Sequence, residues 1–453
     1  MQLKELTQFD AYFGQKVDYG FLSQNSLLKL SVQEEENLKE GAVLHAIKSG
    51  ERVELGSEIA SGEEGTIYAL SNNTLYVAKI YKPKHRTRIK AEKLKKMISF
   101  KNENDRICWP CDILETYSGI FVGFIMPIAK GKILKSLTIS PAAMRKKYSE
   151  VDRKLQIEII LEILKLFKYL HEHNILFGDV NLSNIMFDNQ YHITFVDMDC
   201  VQVGEFPCVT STAGFDSPEV IIGRGDHRFD WLPEDRAYEF NRYYTDFYRT
   251  LEMEYFSISV LIYTLLMNGF LPYEYREFGL VGDPGEYNDN ELCMKQQFPY
   301  STDFNKVEKH ANHQEIWSHF PSFLKEAFVN CFTYNKRYTD EEWIKLFTRY
   351  KHLLESGELN KVDPDCMDPF PEHQANYDAV KFMMTETVER NGFAMWQAVG
   401  RIVKALGNSQ LRKRTLEIAN ILKQQPECII DNYRFQLVYN IGVLKKVKCE
   451  YVL

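Results

Sequence analysis

Two carboxylates and one amide lie within a short stretch, residues 175–199, which reads ILFGDVNLSNIMFDNQYHITFVDMD. Asp179, Asn184 and Asp197 supply oxygen atoms, which are the ligands that a hard cation such as magnesium prefers. Asn184 and Asp197 suit the metal, and this leaves Asp179 free to orient a hydroxyl group. The stretch therefore predicts a metal-dependent reaction.

These side chains come together only if the chain folds back as a hairpin. β-prone runs stand on either side of residues 189–190, which are typical turn residues. A tight turn that pairs Asp188 with Tyr191 brings Asn184 and Asp197 to the same end of the hairpin. The remaining aspartate lies at that end too.

A glycine-containing hairpin and a lysine precede this stretch. From residue 53 the sequence VELGSEIASGEEGTIYALSNNTLYVAKIY alternates β-formers with turns. Gly62 and Gly65 let backbone N–H groups approach phosphate oxygens, and Lys79 offers a positive charge to the same phosphates. A basic helix at about residues 87–100 follows, and its Glu92 could hold Lys79 in place.

Two apolar patterns predict helices that support the stretch. Residues 155–173 carry apolar side chains at helical spacing, which indicates a core helix. His171, near the C-terminus of this helix, suits the helix dipole, and we expect a structural role for it. The run EYFSISVLIYTLLMNGFLPY predicts a second buried helix, too short and too interrupted to cross a membrane.

Length and composition indicate a globular chain of two or three domains. It has 453 residues, of which 45% are hydrophobic and 13% aromatic. A net charge of −8 and a pI near 5.9 do not favour nucleic acid as a partner. No basic-then-apolar signal begins the chain and no apolar run has membrane-spanning length, so we expect a cytoplasmic protein without a membrane segment.

The cysteine content favours reduced thiols. Nine cysteines are scattered over the chain, unlike the dense framework of a small secreted domain. Cys108 and Cys111, together with His310 and His313, offer a zinc site as the alternative. A single C-x-x-C pair without a second one is a weak signal for zinc.

The order of these motifs resembles the eukaryotic-like (Hanks-type) serine/threonine protein kinases. Gly62 and Gly65 come first, and Lys79, Glu92, GDVNLSN, DMD and SPE follow in that order. The AKIY run and a D-x-D in place of DFG are similar to a divergent bacterial subgroup. The resemblance covers roughly residues 50–350. It implies an α+β, bilobal protein-kinase-like fold with a β-rich small lobe and a mainly helical large lobe.

The resemblance implies a role for each residue of the site. Lys79 would pair the phosphates of ATP, and Glu92 would hold Lys79. Asp179 would take the role of base, and Asn184 and Asp197 would bind magnesium.

The remaining contacts to ATP are also implied by the resemblance. The segment 126–128 would be the hinge that contacts adenine. The residues that would bind the nucleotide beside Lys79 are Gly62, Gly65, Ala78, Met126 and Ile128.

Four positions depart from the family pattern. Ala60 replaces the first loop glycine, and Asp199 replaces the last glycine of DFG. Gly178 stands where the family has an arginine, so a phosphorylated activation segment has lost its usual docking charge. Asn181 replaces a lysine that neutralises the transferred phosphate. These changes predict a lower transfer rate, a stiffer hinge and a third carboxylate near the metal.

The run at residues 202–219 resembles an activation segment. Its candidate phosphorylation or substrate-contacting hydroxyls are those of Thr210, Ser211 and Thr212, the last of which matches the family's substrate-loop threonine. We expect Glu219 to pair with Arg337, and we expect Glu254 to replace the aspartate that anchors the catalytic loop.

The sequence predicts five regions. They are an N-terminal lead-in (1–50), a small lobe (51–130), a large lobe (131–352), a proline-containing acidic linker (353–375) and a C-terminal helical domain (376–453). A regulatory partner would bind through residues 224–253, which are rich in aromatic and charged side chains, or through residues 376–453.

The combined prediction is an ATP- and magnesium-dependent kinase that phosphorylates Ser or Thr of a protein substrate. Two alternatives stay open. The GDVNLSN run also resembles the loop of aminoglycoside-type small-molecule phosphotransferases. Asn181, Gly178 and Asp199 favour a pseudokinase scaffold that binds nucleotide without turnover.

Overall fold

The computed structural model describes residues 38–221, 248–274, 276–277, 289–301, 307–308, 311–361, 363–373, 375, 385–387, 395–405, 409–440 and 444–451. These residues form two compact units. Unit 1 takes the described residues up to Ser149, those from Glu158 to Val307 and those from Cys331 to Lys345. Unit 2 takes the described residues of 150–157, 308–330 and 346–453.

Unit 1 begins with a small β-barrel. Its strands are β1 (Val43–Ala46), β2 (Arg52–Ser61), β3 (Gly65–Leu70), β4 (Asn73–Tyr81), β5 (Asp112–Glu115) and β6 (Phe121–Pro127). They close in the order β1-β2-β3-β4-β6-β5, and every neighbouring pair is antiparallel. The barrel encloses aliphatic side chains that include Leu44, Leu55, Leu114 and Val122.

Strand β1 corrects the predicted start of the small lobe. It belongs to the segment that the sequence predicted as a lead-in, yet it pairs with both β2 and β5. A four-residue strand is too short to show a clear alternation of apolar and polar residues, so its pattern gave no signal. The rest of the predicted lead-in, residues 1–37, lies outside the described residues.

The predicted basic helix is α1 (Arg88–Ser99). The side-chain oxygen of Thr87 accepts a hydrogen bond from the Lys90 backbone N–H, which caps its first turn. Leu94 and Met97 are buried on its apolar side. At the other end, the Trp109 indole N–H donates to the Met97 carbonyl oxygen at 2.9 Å.

Beyond the barrel, the regular structure of the described residues up to Glu355 is mainly helical. Its helices are α2 (Pro141–Lys147), α3 (Arg153–Glu172), α4 (Leu251–Leu266), α5 (Asp289–Met294), α6 (Ala311–Ser318), α7 (Ser322–Tyr334) and α8 (Asp340–Glu355). Short strands lie between them: β7 (Lys132–Ile133), β8 (Ile175–Leu176), β9 (Ile185–Phe187), β10 (Ile193–Phe195), β11 (Gln202–Val203), β12 (Arg276–Glu277) and β13 (Val307–Glu308). Helix α4 is the predicted second core helix, and it is buried from Met253 to Leu266.

The hairpin formed by β9 and β10 has a register one residue away from the predicted one. Asp188 donates its backbone N–H to the His192 carbonyl oxygen, so Asp188 faces His192 and not Tyr191. Tyr191 has a left-handed conformation (φ 63°) and adds a third residue to the turn. The Asp188 carboxylate stabilises this longer turn because it accepts hydrogen bonds from the backbone N–H groups of Gln190 and His192.

Unit 2 includes the segment that was predicted as a linker. Its described part contains Asp363, Cys366 and Phe370, all of them buried. Asp363 pairs with His319 at 2.7 Å, and the Arg153 guanidinium donates to the Pro369 carbonyl oxygen at 3.2 Å. Prolines and acidic residues in this segment predict a linker. Buried partners that are distant in sequence make this segment part of a packed unit instead.

The C-terminal part of unit 2 is α+β, so the prediction of a helical domain was wrong. It has helices α9 (Met395–Ala405), α10 (Ser409–Lys413) and α11 (Thr415–Gln424), and strands β14 (Thr385–Thr387), β15 (Glu427–Ile430), β16 (Tyr433–Asn440) and β17 (Leu444–Tyr451). The strands form one antiparallel sheet in the order β14-β17-β16-β15. Val399 and Ile402 of α9 share a core with Phe435 and Val447 of the sheet.

Two turn residues explain the missed hairpin between β15 and β16. Asp431 and Asn432 both have positive φ, as a two-residue hairpin turn requires.

In the described residues, no helix is long and apolar enough to cross a membrane. The proposed docking region 224–253 lies mostly outside the described residues.

Candidate active site

Lys79 is a buried positive charge in strand β4, with only 6% of the residue exposed. Strand β6 lies so close that a Cβ atom on Gly123 would lie 2.0 Å from the Lys79 carbonyl oxygen. Lys79 Nζ lies 2.5 Å from Asp197 Oδ1 and 2.7 Å from Asp199 Oδ1. Burial alone would lower the pKa of Lys79, but the two carboxylates outweigh it and raise this pKa well above its usual value. Lys79 is therefore charged and fixed in place.

Asp199 is the more deeply buried of the two carboxylates. Its Oδ2 atom accepts a hydrogen bond from the Tyr81 hydroxyl at 2.6 Å, while Oδ1 contacts Lys79. Burial alone would raise the pKa of Asp199, but Lys79, Lys90 and the Tyr81 hydroxyl together hold it at about 2. The carboxylate that the sequence placed near a metal is thus engaged by a lysine and a tyrosine.

The structure does not bring Glu92 to Lys79. Glu92 Oε1 lies 2.8 Å from Lys95 Nζ, one turn further along helix α1. The expected pair is absent because Asp197 and Asp199 already surround the Lys79 amine, while Glu92 pairs with a neighbour on its own helix. Glu92 is therefore corrected from a lysine-holding residue to a helix-surface residue in this structure.

Asp179 lies in the predicted catalytic loop, residues 177–184, and its carboxylate is held on both of its oxygen atoms. Asp179 Oδ1 accepts a hydrogen bond from the Thr212 hydroxyl at 2.8 Å, and Oδ2 accepts one from the Asn184 amide at 3.2 Å. The Asn181 amide donates to the Thr212 hydroxyl oxygen at 2.9 Å. These contacts bring together the loop, the hairpin and the activation segment around Asp179.

Glu254 anchors the backbone just before Asp179, as the sequence predicted. Its two carboxylate oxygens accept hydrogen bonds from the backbone N–H groups of Phe177 (2.8 Å) and Gly178 (2.7 Å). His171 bridges Glu254 at 2.9 Å and Asp340 at 2.6 Å. Burial alone would lower the pKa of His171, but Asp340 and Glu254 raise it to about 9. A charged histidine thus holds the anchor, which is a structural role.

Arg249 supplies a contact that the sequence reading missed. A Cβ atom on Gly178 (φ +78°) would lie 2.4 Å from Cys208 Sγ, so the activation segment packs directly on the loop. The buried Arg249 guanidinium donates to the Thr210 carbonyl oxygen at 2.9 Å. Gln202 bonds both the backbone N–H and the carbonyl oxygen of Arg249. The available signal was the position of Arg249 just before a buried helix, in a chain that has Gly178 where the family has an arginine.

The predicted pair between Glu219 and Arg337 is confirmed. Arg337 Nη2 lies 2.7 Å from Glu219 Oε1 and 2.9 Å from Oε2. The same guanidinium lies over the ring of Phe256, 4.7 Å from the ring centre. This pair connects the end of the activation segment to the segment before helix α8.

The two loop glycines have different roles. A Cβ atom on Gly65 would lie 2.6 Å from the Ile80 carbonyl oxygen, so the close approach of strand β4 requires glycine there. The Gly62 N–H donates to the Gly65 carbonyl oxygen at 2.9 Å and closes the turn. In this structure the Gly62 N–H therefore stabilises the hairpin itself.

The predicted adenine-contacting residues lie on neighbouring strands of the barrel. Ala78 in β4 and Met126 in β6 are buried. The Ile128 N–H, just beyond β6, donates to the Leu75 carbonyl oxygen at 2.9 Å. The Ile128 N–H of the predicted hinge segment is thus engaged by strand β4.

Asn184 and Asp197 form a donor set that fits a hard cation. The Asn184 amide nitrogen donates to Asp179, so the amide oxygen is the atom that could bind a metal. Its backbone carbonyl oxygen accepts the Val196 N–H at 3.0 Å, which places Asn184 beside the residue before Asp197. The Asp197 side chain is 40% exposed, in contrast to 2% for Asp199. Asp197 is therefore the accessible carboxylate of the pair.

A second group of ligand atoms is less suitable for a metal. Glu64, Asp199 and Cys200 lie within 4.8 Å of one another. Lys90 pairs with Glu64 at 2.6 Å, and both oxygens of the buried Asp199 already have partners, in contrast to the exposed Asp197. Burial and the nearby carboxylates raise the pKa of the Cys200 thiol well above its usual value.

The zinc alternative gains no support from the described residues. Burial raises the pKa of the Cys108 thiol to about 12, which disfavours the thiolate that zinc requires. The described residues that could group around a metal do not include Cys108 or Cys111. All nine cysteines are free thiols, as expected. His310 lies outside the described residues.

The sequence of the chain matches the protein kinase domain family over residues 53–339, and the chain belongs to that family. It is 25% identical over 333 residues to the protein kinase YegI of Escherichia coli, in both strain K12 and O157:H7. This similarity covers 72% of the chain but only 48% of those relatives, so the chain spans about half their length. A shorter stretch of 68 residues is 32% identical to a cGMP-dependent protein kinase of Toxoplasma gondii, 15% of the chain and 7% of that protein.

Proposed function

We propose that the protein is an ATP- and magnesium-dependent kinase that transfers the γ-phosphoryl group to Ser or Thr hydroxyls of a protein. The observation that carries this proposal is the arrangement of Asp179, whose carboxylate is held on both oxygens by Thr212 and Asn184. Catalysis of phosphoryl transfer depends on positioning and on charge neutralisation, and the site supplies both.

Each residue has a definite task in the proposed reaction. Lys79 contacts the ATP phosphates, and Asn184 and Asp197 hold magnesium. Magnesium, when bound, neutralises charge on the phosphates. Asp179 orients the substrate hydroxyl and accepts its proton as the hydroxyl oxygen bonds to the phosphorus atom. The bond between the γ-phosphorus and the bridging oxygen breaks, and ADP leaves.

The nucleotide contacts belong to the same proposal. The barrel residues assigned to them are Gly62, Gly65, Ala78, Met126 and Ile128. The hydrogen-bonded Glu219–Arg337 pair supports a protein substrate over a small molecule, because it fixes the segment that follows Thr212 in the chain. The cytoplasmic location and a regulatory partner at residues 224–253 or 376–453 stay predictions.

A nucleotide-binding scaffold is the second candidate. The observation that favours it is the engagement of Lys79 by two carboxylates. Lys79 would have to exchange one of these contacts for phosphate oxygens before it could assist transfer. A protein held permanently in this arrangement would bind partners without turnover.

Incubation of the full chain with magnesium and γ-labelled ATP separates the two candidates. We expect label on Ser or Thr, in the protein itself or in an added protein substrate. Asp179→Asn should reduce labelling at least about a hundredfold, because the hydroxyl loses its proton acceptor. Asp197→Asn should strongly reduce labelling and raise the magnesium concentration that the remaining transfer requires.

Three results would contradict the kinase proposal. ATP binding without any transfer would favour the scaffold. Label on small hydroxyl compounds, but not on protein, would favour a small-molecule kinase. Undiminished transfer by Asp179→Asn would remove the assigned role of that residue.

A further inference from the structure

We propose that Asp199, fixed by the Tyr81 hydroxyl, is the residue that positions Lys79 for the nucleotide, in place of Glu92. This inference rests on the proposed function because it assigns the carboxylate that holds the phosphate-binding lysine. It follows from the burial and the hydrogen-bond partners of four side chains and from their positions along the chain. They are Lys79, Tyr81, Asp197 and Asp199.

The first argument is the difference between the two carboxylates at Lys79. Asp199 is buried, with 2% of its side chain exposed, whereas the Asp197 side chain is 40% exposed. Asp197 is also the proposed ligand for magnesium, so a bound cation would compete with Lys79 for its carboxylate. Asp199 would then be the carboxylate that stays with Lys79.

The second argument is the role of Tyr81. Residues two apart on a strand point to the same face, so Tyr81 stands beside Lys79 on β4. Its buried hydroxyl donates to Asp199 Oδ2, while Asp199 Oδ1 faces Lys79. One carboxylate thus bridges two side chains of the same strand, and both of its oxygens have a partner. A buried charge is stable only when it is paired and hydrogen-bonded in this way.

The third argument is that helix α1 forms its ion pairs with other segments through lysines. Lys90 pairs with Glu64 at 2.6 Å, and Lys96 pairs with Glu205 at 3.0 Å. Glu92 pairs within the helix itself. Carboxylates outside the helix therefore meet lysines on it, and the contact with Lys79 comes from the residues after β10. Neither carboxylate that contacts Lys79 belongs to helix α1.

A double-mutant cycle on nucleotide affinity tests the assignment. The variants are Asp199→Asn, Lys79→Met and their combination, with Tyr81→Phe and Glu92→Gln for comparison. Affinity for ATP with magnesium is measured by calorimetry, and kcat and KM are measured separately. Thermal unfolding of each variant shows whether it folds.

We expect Asp199→Asn to weaken nucleotide binding at least about tenfold and to have little effect once Lys79 is already Met, because the two residues act as a unit. Tyr81→Phe should weaken binding a few-fold without loss of the fold, since only one hydroxyl is removed. Glu92→Gln should leave the affinity unchanged. The loss should appear in KM more than in kcat.

Two outcomes would overturn the assignment. One is a larger loss of affinity in Glu92→Gln than in Asp199→Asn. The other is an Asp199→Asn effect of full size in the Lys79→Met background, above all one that added magnesium corrects, because Asp199 would then act on the metal.

A wild type that binds no nucleotide would rule out the proposed function. Thermal unfolding of the variants would then test whether Lys79 and Asp199 hold each other. The same cycle should be non-additive for stability if Lys79 and Asp199 hold each other. Additive losses would contradict the proposal. A protein that binds nucleotide without transfer would leave the assignment standing and remove only the kinase function.

Discussion

The catalytic loop and helix α1 are held in place by different kinds of contact. The loop is anchored by Glu254, which is buried and bonds backbone N–H groups directly. The ion pairs between helix α1 and other segments come from lysines that are 19% to 47% exposed, outside its buried apolar side. Every residue except proline keeps its backbone N–H group when the side chain is mutated. In a surface ion pair, by contrast, the acidic and the basic residue can trade places at little cost in stability. The first kind of contact restricts the sequence far more strongly than the second.

The anchor should therefore give the largest loss of stability. Glu254→Ala leaves two buried N–H groups and a charged His171 without their carboxylate. We expect a loss of about 3–5 kcal/mol in the free energy of unfolding, measured with denaturant. A loss below ~1 kcal/mol would show that the loop is held by other contacts.

The pH dependence of stability should sharpen the role of His171. Its pKa is raised to about 9 in the folded protein, against an ordinary value of 6.5. Protonation therefore stabilises the folded state fully below pH 6.5, and the contribution, roughly 3 kcal/mol, is lost as the pH rises through 9. Unfolding measured from pH 6 to pH 10 should show this decline. His171→Gln should show a flatter profile over the same range.

Gly178→Ala tests how closely the activation segment packs on the loop. The new methyl group would meet Cys208 Sγ at 2.4 Å, and alanine is strained at φ +78°. We expect a loss of about 2 kcal/mol, and the additional change Cys208→Gly should recover roughly half of it because only the backbone strain remains. A neutral Gly178→Ala would show that the two segments are not in close contact.

Glu92→Gln should have the smallest effect. Its partner Lys95 is one turn away on the same helix and largely exposed. Such pairs contribute about 0.3–0.5 kcal/mol, so the change in unfolding free energy should stay below that. A loss near ~2 kcal/mol would mean that Glu92 has a buried partner after all.

The sequence predicted the catalytic loop better than the surroundings of Lys79. Asp179 and Asn184 could be placed together because they are close in the chain and lie at one end of the hairpin, whereas Thr212 was predicted only through the family resemblance. The Glu219–Arg337 pair was predictable only through the family resemblance, since no local pattern joins residues so far apart. In contrast, Glu92 is the residue type that the family pattern predicts, but it pairs with Lys95 and not with Lys79.

The remaining misses have physical causes as well. The register of the β9–β10 hairpin depends on the left-handed conformation of Tyr191, and tyrosine rarely adopts this conformation, so the sequence did not predict it. The packed segment around Asp363 depended on a buried histidine far away in sequence. In the C-terminal part, the Asp431-Asn432 turn was a readable hairpin signal, but the apolar periodicity of the preceding helices dominated the interpretation.

The contact of the Tyr81 hydroxyl with Asp199 means that the arrangement at Lys79 can be recognised from a sequence motif. Two side chains at alternate positions on one strand meet two at alternate positions after β10, so the motif is K-x-Y together with D-x-D. We expect the tyrosine and the second aspartate to be gained or lost jointly among relatives. A chain with only one of the two would leave a buried polar group without its partner.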